Sequence, residues 1–251
     1  MANGCIAAER ILAKLDGYLH KKDYAAAERH LAFWEEEART AEDVKTLLLV
    51  FNEQMGVYRK TGKREQALTA ARAALSVIER KGLCELVGAA TAFLNAATVY
   101  KAFGLAEEAI PLFERARRVY ERELERDDGR LAGLYNNMGL ALVDVERWDE
   151  AGALYEKALA IVERKENGAA DAAVTYLNMA SLAEARLGLE EAEASVAACL
   201  ESARARLDGV GRRDGSYAFV CEKCASVFGY YGYFRYENEL KERARRIYEG
   251  A

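Results

Sequence analysis

FLNAATVYKAFGLAEEAIPLFERA, residues 93–116, and YNNMGLALVDVERWDEAGALYEKA, residues 135–158, are two copies of one pattern set 42 residues apart. Each opens on an aromatic residue and places a small residue four positions on. Each closes on alanine, an aromatic four later and alanine three after that. Spacings of four and three mark one face of a helix, and the pattern is broken once in the middle. The stretch therefore reads as a helix, a turn and a second helix.

The same phase runs outward in both directions. Ala27, Ala67, Ala109, Ala151 and Ala192 form one column, and Phe51, Phe93, Tyr135 and Tyr176 form another. Leu31, Ala71, Phe113, Tyr155 and Val196 form a third. Cys221, Ala225, Phe228, Gly232 and Ala244 continue the pattern after a longer connection. Gly62, Gly104 and Gly188 fall at the break between helices, where a left-handed residue closes the first one. The spacing predicts six helix pairs at about 6–40, 44–82, 86–126, 129–166, 170–207 and 216–250, within one domain over 1–251. Ala97, Gly139 and Ala180 put small residues where paired helices cross. One such pair cannot bury its apolar face alone, whereas a stack of them can. The expected fold is all-α, a right-handed α-solenoid of six helix-turn-helix repeats.

Composition agrees. The chain of 251 residues has one proline, Pro111, and 47 alanines, which argues against a β-sandwich or barrel. Its net charge of −5 disfavours a nucleic-acid reader. The longest apolar runs, Leu47 to Phe51 among them, are far short of the roughly 20 residues of a membrane span. The first residues lack a signal-peptide pattern, and the expected location is the cytoplasm. Five scattered cysteines and two histidines, His20 and His30, argue against a disulfide framework and against histidine-based metal sites or catalysis.

The repeat resembles the tetratricopeptide repeat family. The resemblance rests on Phe93, Ala97, Tyr100, Ala109, Phe113 and Ala116, and EEAIPLFERA around Pro111 is similar to the longer repeats of kinesin light chains. It implies a concave groove lined by the first helix of each pair, where a partner's extended segment would lie. Asn95, Asn137 and Asn178 recur two residues after the aromatic column, about 200° around the helix from it, with Glu53 at the matching place. Thr98 and Ser181 lie three residues further on, among Ala102, Leu140 and Ala185. The carboxamides could meet a peptide backbone or set the spacing between repeats; the sequence leaves both open. The lysine- and arginine-rich clamp of chaperone-binding members has no counterpart in this column.

Two other motifs stand out. Cys221 and Cys224 share a helix face with core columns and read as buried apolar residues, since no second ligand pair accompanies them. FGYYGYFRYE, residues 228–237, reads as a seal on the end of the stack. Tyr230, Tyr231, Tyr233 and Arg235 within it are also candidates for an interface. The alternating charges of residues 114–130, with Glu114 four before Arg118, read as a solvated face. No phosphate loop, triad, metal cluster or cofactor motif appears. The expected function is a non-catalytic module binding a protein or peptide segment, without cofactor, nucleic acid or membrane. The rival readings are a self-assembling scaffold, dimeric through a terminal repeat, and a bacterial-type peptide sensor without its own DNA-binding domain.

Overall fold

The computed structural model describes residues 8–250, so Cys5 and the first two residues expected in the opening repeat lie outside the described residues. Twelve helices occupy the described residues, and no strand is among them. They run α1 Ala8–His20, α2 Tyr24–Thr40, α3 Val44–Lys60, α4 Arg64–Arg80, α5 Val87–Ala102 and α6 Ala106–Glu123. Then follow α7 Gly129–Asp144, α8 Trp148–Val162, α9 Ala169–Leu187, α10 Leu189–Asp208, α11 Gly215–Tyr230 and α12 Phe234–Glu249. They form the six expected helix pairs of an all-α, solenoid-class repeat fold. Among the described residues, no helix is long and apolar enough to cross a membrane.

The chain divides between Glu123 and Leu124 into two compact units of three repeats each. In unit 1, α2 packs on α3, α4 on α5, and the first helices α3 and α5 touch. In unit 2, α8 packs on α9, and α9 lies between α7 and α11. Both units bury the columns read from the sequence: Phe51, Phe93 and Phe113 in unit 1, and Tyr155, Cys221 and Phe228 in unit 2 are at most 1% exposed. Local chemistry sets the helix starts. The side chains of Asp23 and Asp43 accept from the amides of Ala26 and Thr46 at 3.0 and 3.1 Å, satisfying donors a helix otherwise leaves open.

Every pair turns through a residue with positive φ: Lys22, Gly62, Gly104, Glu146, Gly188 and Gly232. Two of the six are not glycine, so the sequence signal at the break is incomplete where lysine and glutamate take the strain. Gly188 also differs from the left-handed closure expected of it. At φ 82° and ψ 159° it caps α9 and α10 at once, a conformation open essentially to glycine.

The small-residue column is fixed by what it faces. A methyl group on Gly139 would sit 2.4 Å from Cε1 of Tyr155. The paired positions in the neighbouring repeats are Ala97 with Phe113 and Ala180 with Val196. Only the pair with the largest ring has glycine opposite it. The cost of that ring is a buried hydroxyl, because Tyr155 Oη has no hydrogen-bond partner.

We expect Gly139→Ala to destabilise unit 2 by about 1–3 kcal/mol through overpacking. Tyr155→Phe, which deletes an unsatisfied polar atom from the same contact, should leave stability unchanged or raise it by about 1 kcal/mol. Chemical denaturation of the two variants checks the opposed signs.

Candidate functional site

In unit 2 the first helices α7, α9 and α11 line a cleft of about 490 Å³. Ala132, Leu140, Val174 and Val220 supply apolar wall, and Phe219 is left 55% exposed beside it. Asn137, Asn178 and Lys223 reach the same cleft, one from each helix. Lys223 stands two residues after Cys221, so it occupies in the sixth repeat the place that asparagine holds in the fourth and fifth. The sequence reading passed over it because it is not an asparagine.

A chain of hydrogen bonds behind the cleft fixes which way its carboxamides point. The Thr175 hydroxyl is fully buried and donates to the Asp171 carbonyl at 3.0 Å. Its oxygen accepts from Asn136 Nδ2 at 2.9 Å. Asn136 then has Oδ1 turned to accept from Asn178 Nδ2 at 2.9 Å. Asn178 is thereby oriented with its own oxygen directed away from this ladder. Unit 1 repeats the motif once, with Asn95 Nδ2 donating to Asn52 Oδ1 at 2.9 Å. Asn95 and Asn178 thus bridge adjacent repeats, through side chains rather than a neighbour's backbone. Asn137 does not: it donates to Gly133 O of its own helix at 2.8 Å. Asn52 and Asn136, the partners that sequence reasoning missed, lie two repeats apart and one residue before the asparagine column. That regularity was the available signal.

The remaining sequence candidates separate. Thr98 and Ser181 are half-buried and bond back to Leu94 O and Leu177 O, at 2.8 and 3.2 Å. Glu53 is half-buried in unit 1; burial raises its carboxyl above the ordinary range, and Asp16 raises it further. In unit 2 the crowded cleft wall raises Asp171, against the opposing pull of Lys223 and Lys165.

The aromatic run divides in two. Tyr230 and Tyr231 donate to the two oxygens of Glu184 at 2.6 and 2.7 Å, joining α11 to α9. Tyr233 packs edge-on against Phe228 at 6.0 Å. Arg235 borders a separate cleft with Tyr233, Phe234 and Arg204. The rings of Tyr230 and Phe234 stay 69% and 64% exposed. Further along, Asp208 accepts from Tyr236 at 2.8 Å and pairs with Arg243 at 2.8 Å, while Arg243 also donates to Tyr217 at 3.0 Å. These ties fasten α12 to α10 and α11.

Cys221 and Cys224 are buried in the core of the last repeats. Burial pushes both thiols up, Cys224 to about 12. Among the described residues no group of three or more histidine, cysteine or acidic side chains is placed to hold a metal ion.

The fold and its lined first helices define a class: a helix-turn-helix repeat protein whose short side-chain ladders join neighbouring repeats. A tetratricopeptide repeat model matches residues 52–122 and 130–205, more than half of the chain. The chain belongs to the tetratricopeptide repeat family. No curated protein matches it. Among solved structures it is similar to BtubC (BKLC) from P. vanneervenii, 25% identical, covering 81% of this chain and 82% of that one with a TM-score of 0.67. It is also similar in fold to kinesin light chain TPR-like repeats from Podospora anserina, 17% identical, covering 80% and 94% with a TM-score of 0.55. The long-repeat, kinesin-light-chain-like form read from the sequence is thus the observed one.

A thiolate is the reactive form, and a raised pKa removes it at mild pH. In the native protein at pH 8, Cys221 and Cys224 should resist a thiol reagent while Cys84, half-buried, is modified ahead of them. Peptide mapping before and after denaturation checks the order. Modification of Cys224 at the rate of Cys84 would overturn the assignment of a packed core residue.

Proposed function

We propose that the chain is a non-catalytic interaction module that receives an extended segment of a partner protein along its first helices. Repeats of this family generally serve as protein-interaction scaffolds, and the likeness to kinesin-light-chain-like repeats is consistent with that role. The observation that carries the reading is the unit 2 cleft. It combines apolar wall, an exposed aromatic ring and polar groups from three successive helices. An extended peptide has alternating side chains and a regularly spaced backbone, so it needs that alternation of apolar and polar contacts. Asn137, Asn178 and Lys223 supply the polar contacts, and Phe219 the apolar anchor. Asn95, Thr98 and Glu53 would act in the same way on the first-helix face of unit 1, and Ser181 beside Asn178 in unit 2.

Each polar contact is worth only about 0.5–1.5 kcal/mol net, so affinity requires several together. This argues against replacing Asn95 or Asn178 as a test, because either change also removes a bridge between repeats. Asn137, Lys223 and Phe219 are better probes. A phage-displayed peptide library should yield sequences that bind the wild type. Asn137→Ala and Lys223→Ala should each weaken a selected peptide roughly five- to tenfold, and Phe219→Ser should weaken it further, with helicity unchanged. Selected peptides indifferent to all three changes would reject the cleft.

A second reading, pairing of two copies through the C-terminal repeat, is favoured by the exposed rings of Tyr230 and Phe234. The opposite consideration is α12, which buries Tyr236, Leu240 and Ala244 on one side and carries glutamate, lysine and arginine on the rest. If the pairing occurs, light scattering at tens of micromolar should show a dimer that Phe234→Ser dissolves.

A further inference from the structure

A second cavity, of about 340 Å³, lies wholly within unit 1, under the connection between α4 and α5. Arg115, Arg118 and Arg122 line it from α6, at positions three and four residues apart on one helix face. Cys84 and Glu85 border it from the connection, and Phe93 from α5. Its lining therefore carries three positive charges and one negative, in a chain whose net charge is −5.

Two of the three guanidiniums are held in place by the fold. Arg115 lies over the Phe93 ring, 4.1 Å from its centroid, and donates to Cys84 Sγ at 3.3 Å. Arg122 donates to the Glu85 carbonyl at 3.1 Å. Arg118 differs from its sequence reading. Glu114 pairs with Arg117 at 2.8 Å instead, and Arg118 is part of the cavity lining. The carboxylates on the other two arginines are surface groups, three in all, among them Glu123, 2.6 Å from Arg122 and 45% exposed. Glu79, 3.2 Å from Arg115, is 60% exposed, and Glu85, 2.5 Å from Arg122, is 73% exposed. Ion pairs that exposed contribute little and are readily exchanged.

We propose that this cavity is a binding site for a phosphate-type oxyanion, separate from the peptide cleft. A planar guanidinium donates two parallel hydrogen bonds to such an anion, and three of them from one helix line this cavity. Glu85 acts as the internal competitor that an entering anion displaces. The volume leaves room for the group to be carried on a larger molecule, so both a free phosphate ion and a phosphomonoester fit the chemistry.

The test is titration of the full chain with inorganic phosphate and, separately, phenyl phosphate, in buffer of constant ionic strength held with chloride. The arginine Nε–Hε resonances are followed by NMR. Saturable shifts at Arg115, Arg118 and Arg122 are expected. Tighter binding of phenyl phosphate would assign the site to an esterified group, and tighter binding of inorganic phosphate to the free ion. Arg118→Gln should weaken binding about tenfold. Glu85→Gln should strengthen it severalfold, a gain that a misfolded variant could not produce. Shifts that fail to saturate, that chloride alone reproduces, or that Glu85→Gln leaves unchanged would overturn the proposal.

Discussion

The structure depends on how closely two helices of a pair can approach. Each helix has an apolar surface too wide to be covered by its partner alone, so burial is completed by the next repeat. That arrangement works only if the backbones meet through small residues while rings fill the spaces beside them. Ala97, Gly139 and Ala180 meet this requirement, and what stands opposite each decides which small residue is tolerated. The Gly139–Tyr155 contact is its tightest case, with an added methyl group 2.4 Å from the ring. The large ring and the missing side chain are two halves of one packing decision.

Polar groups enter this scheme as connectors between first helices. Asn136 and Thr175 lie behind the cleft, and their hydrogen bonds run in one direction: Asn178 donates to the fourth repeat's Asn136, which donates to the fifth repeat's hydroxyl. A buried hydroxyl that has already given its proton to the Asp171 carbonyl can only accept. Everything downstream of it is then determined. Rigidity between repeats and the orientation of a cleft-lining amide thus follow from the same bonds, and the two readings of the asparagine column left open by the sequence are not exclusive.

Much of the fold was legible because repetition amplifies weak local signals. A single alanine or aromatic predicts little, but Ala27, Ala67, Ala109, Ala151 and Ala192 in phase leave few alternatives. The details that escaped depend on contacts across repeats. Nothing in the spacing shows that Lys22 and Glu146 take the positive φ that glycine takes in the other pairs. The choice of Arg117 over Arg118 by Glu114 was equally hidden, since both spacings suit a helix. Lys223 is hidden for a different reason: it shares the register of Asn137 and Asn178 and lines the same cleft, but differs from them in residue type.

The sixth repeat shows how the same constraint is relaxed. Among the described residues the sixth repeat packs on the fifth, and beyond its buried core it carries tyrosines and charged residues. Tyrosine suits that boundary because its ring packs while its hydroxyl finds a partner. Tyr231 and Tyr236 do this with Glu184 and Asp208, carboxylates of the preceding repeat. Arg243 then closes over Tyr217 and Asp208, and the charged remainder of α12 faces outward. Burial therefore gives way to hydrogen bonding within one repeat. Tyr230, whose hydroxyl also bonds Glu184 while its ring stays exposed, and Phe234 are the places where this repeat still has apolar surface to offer.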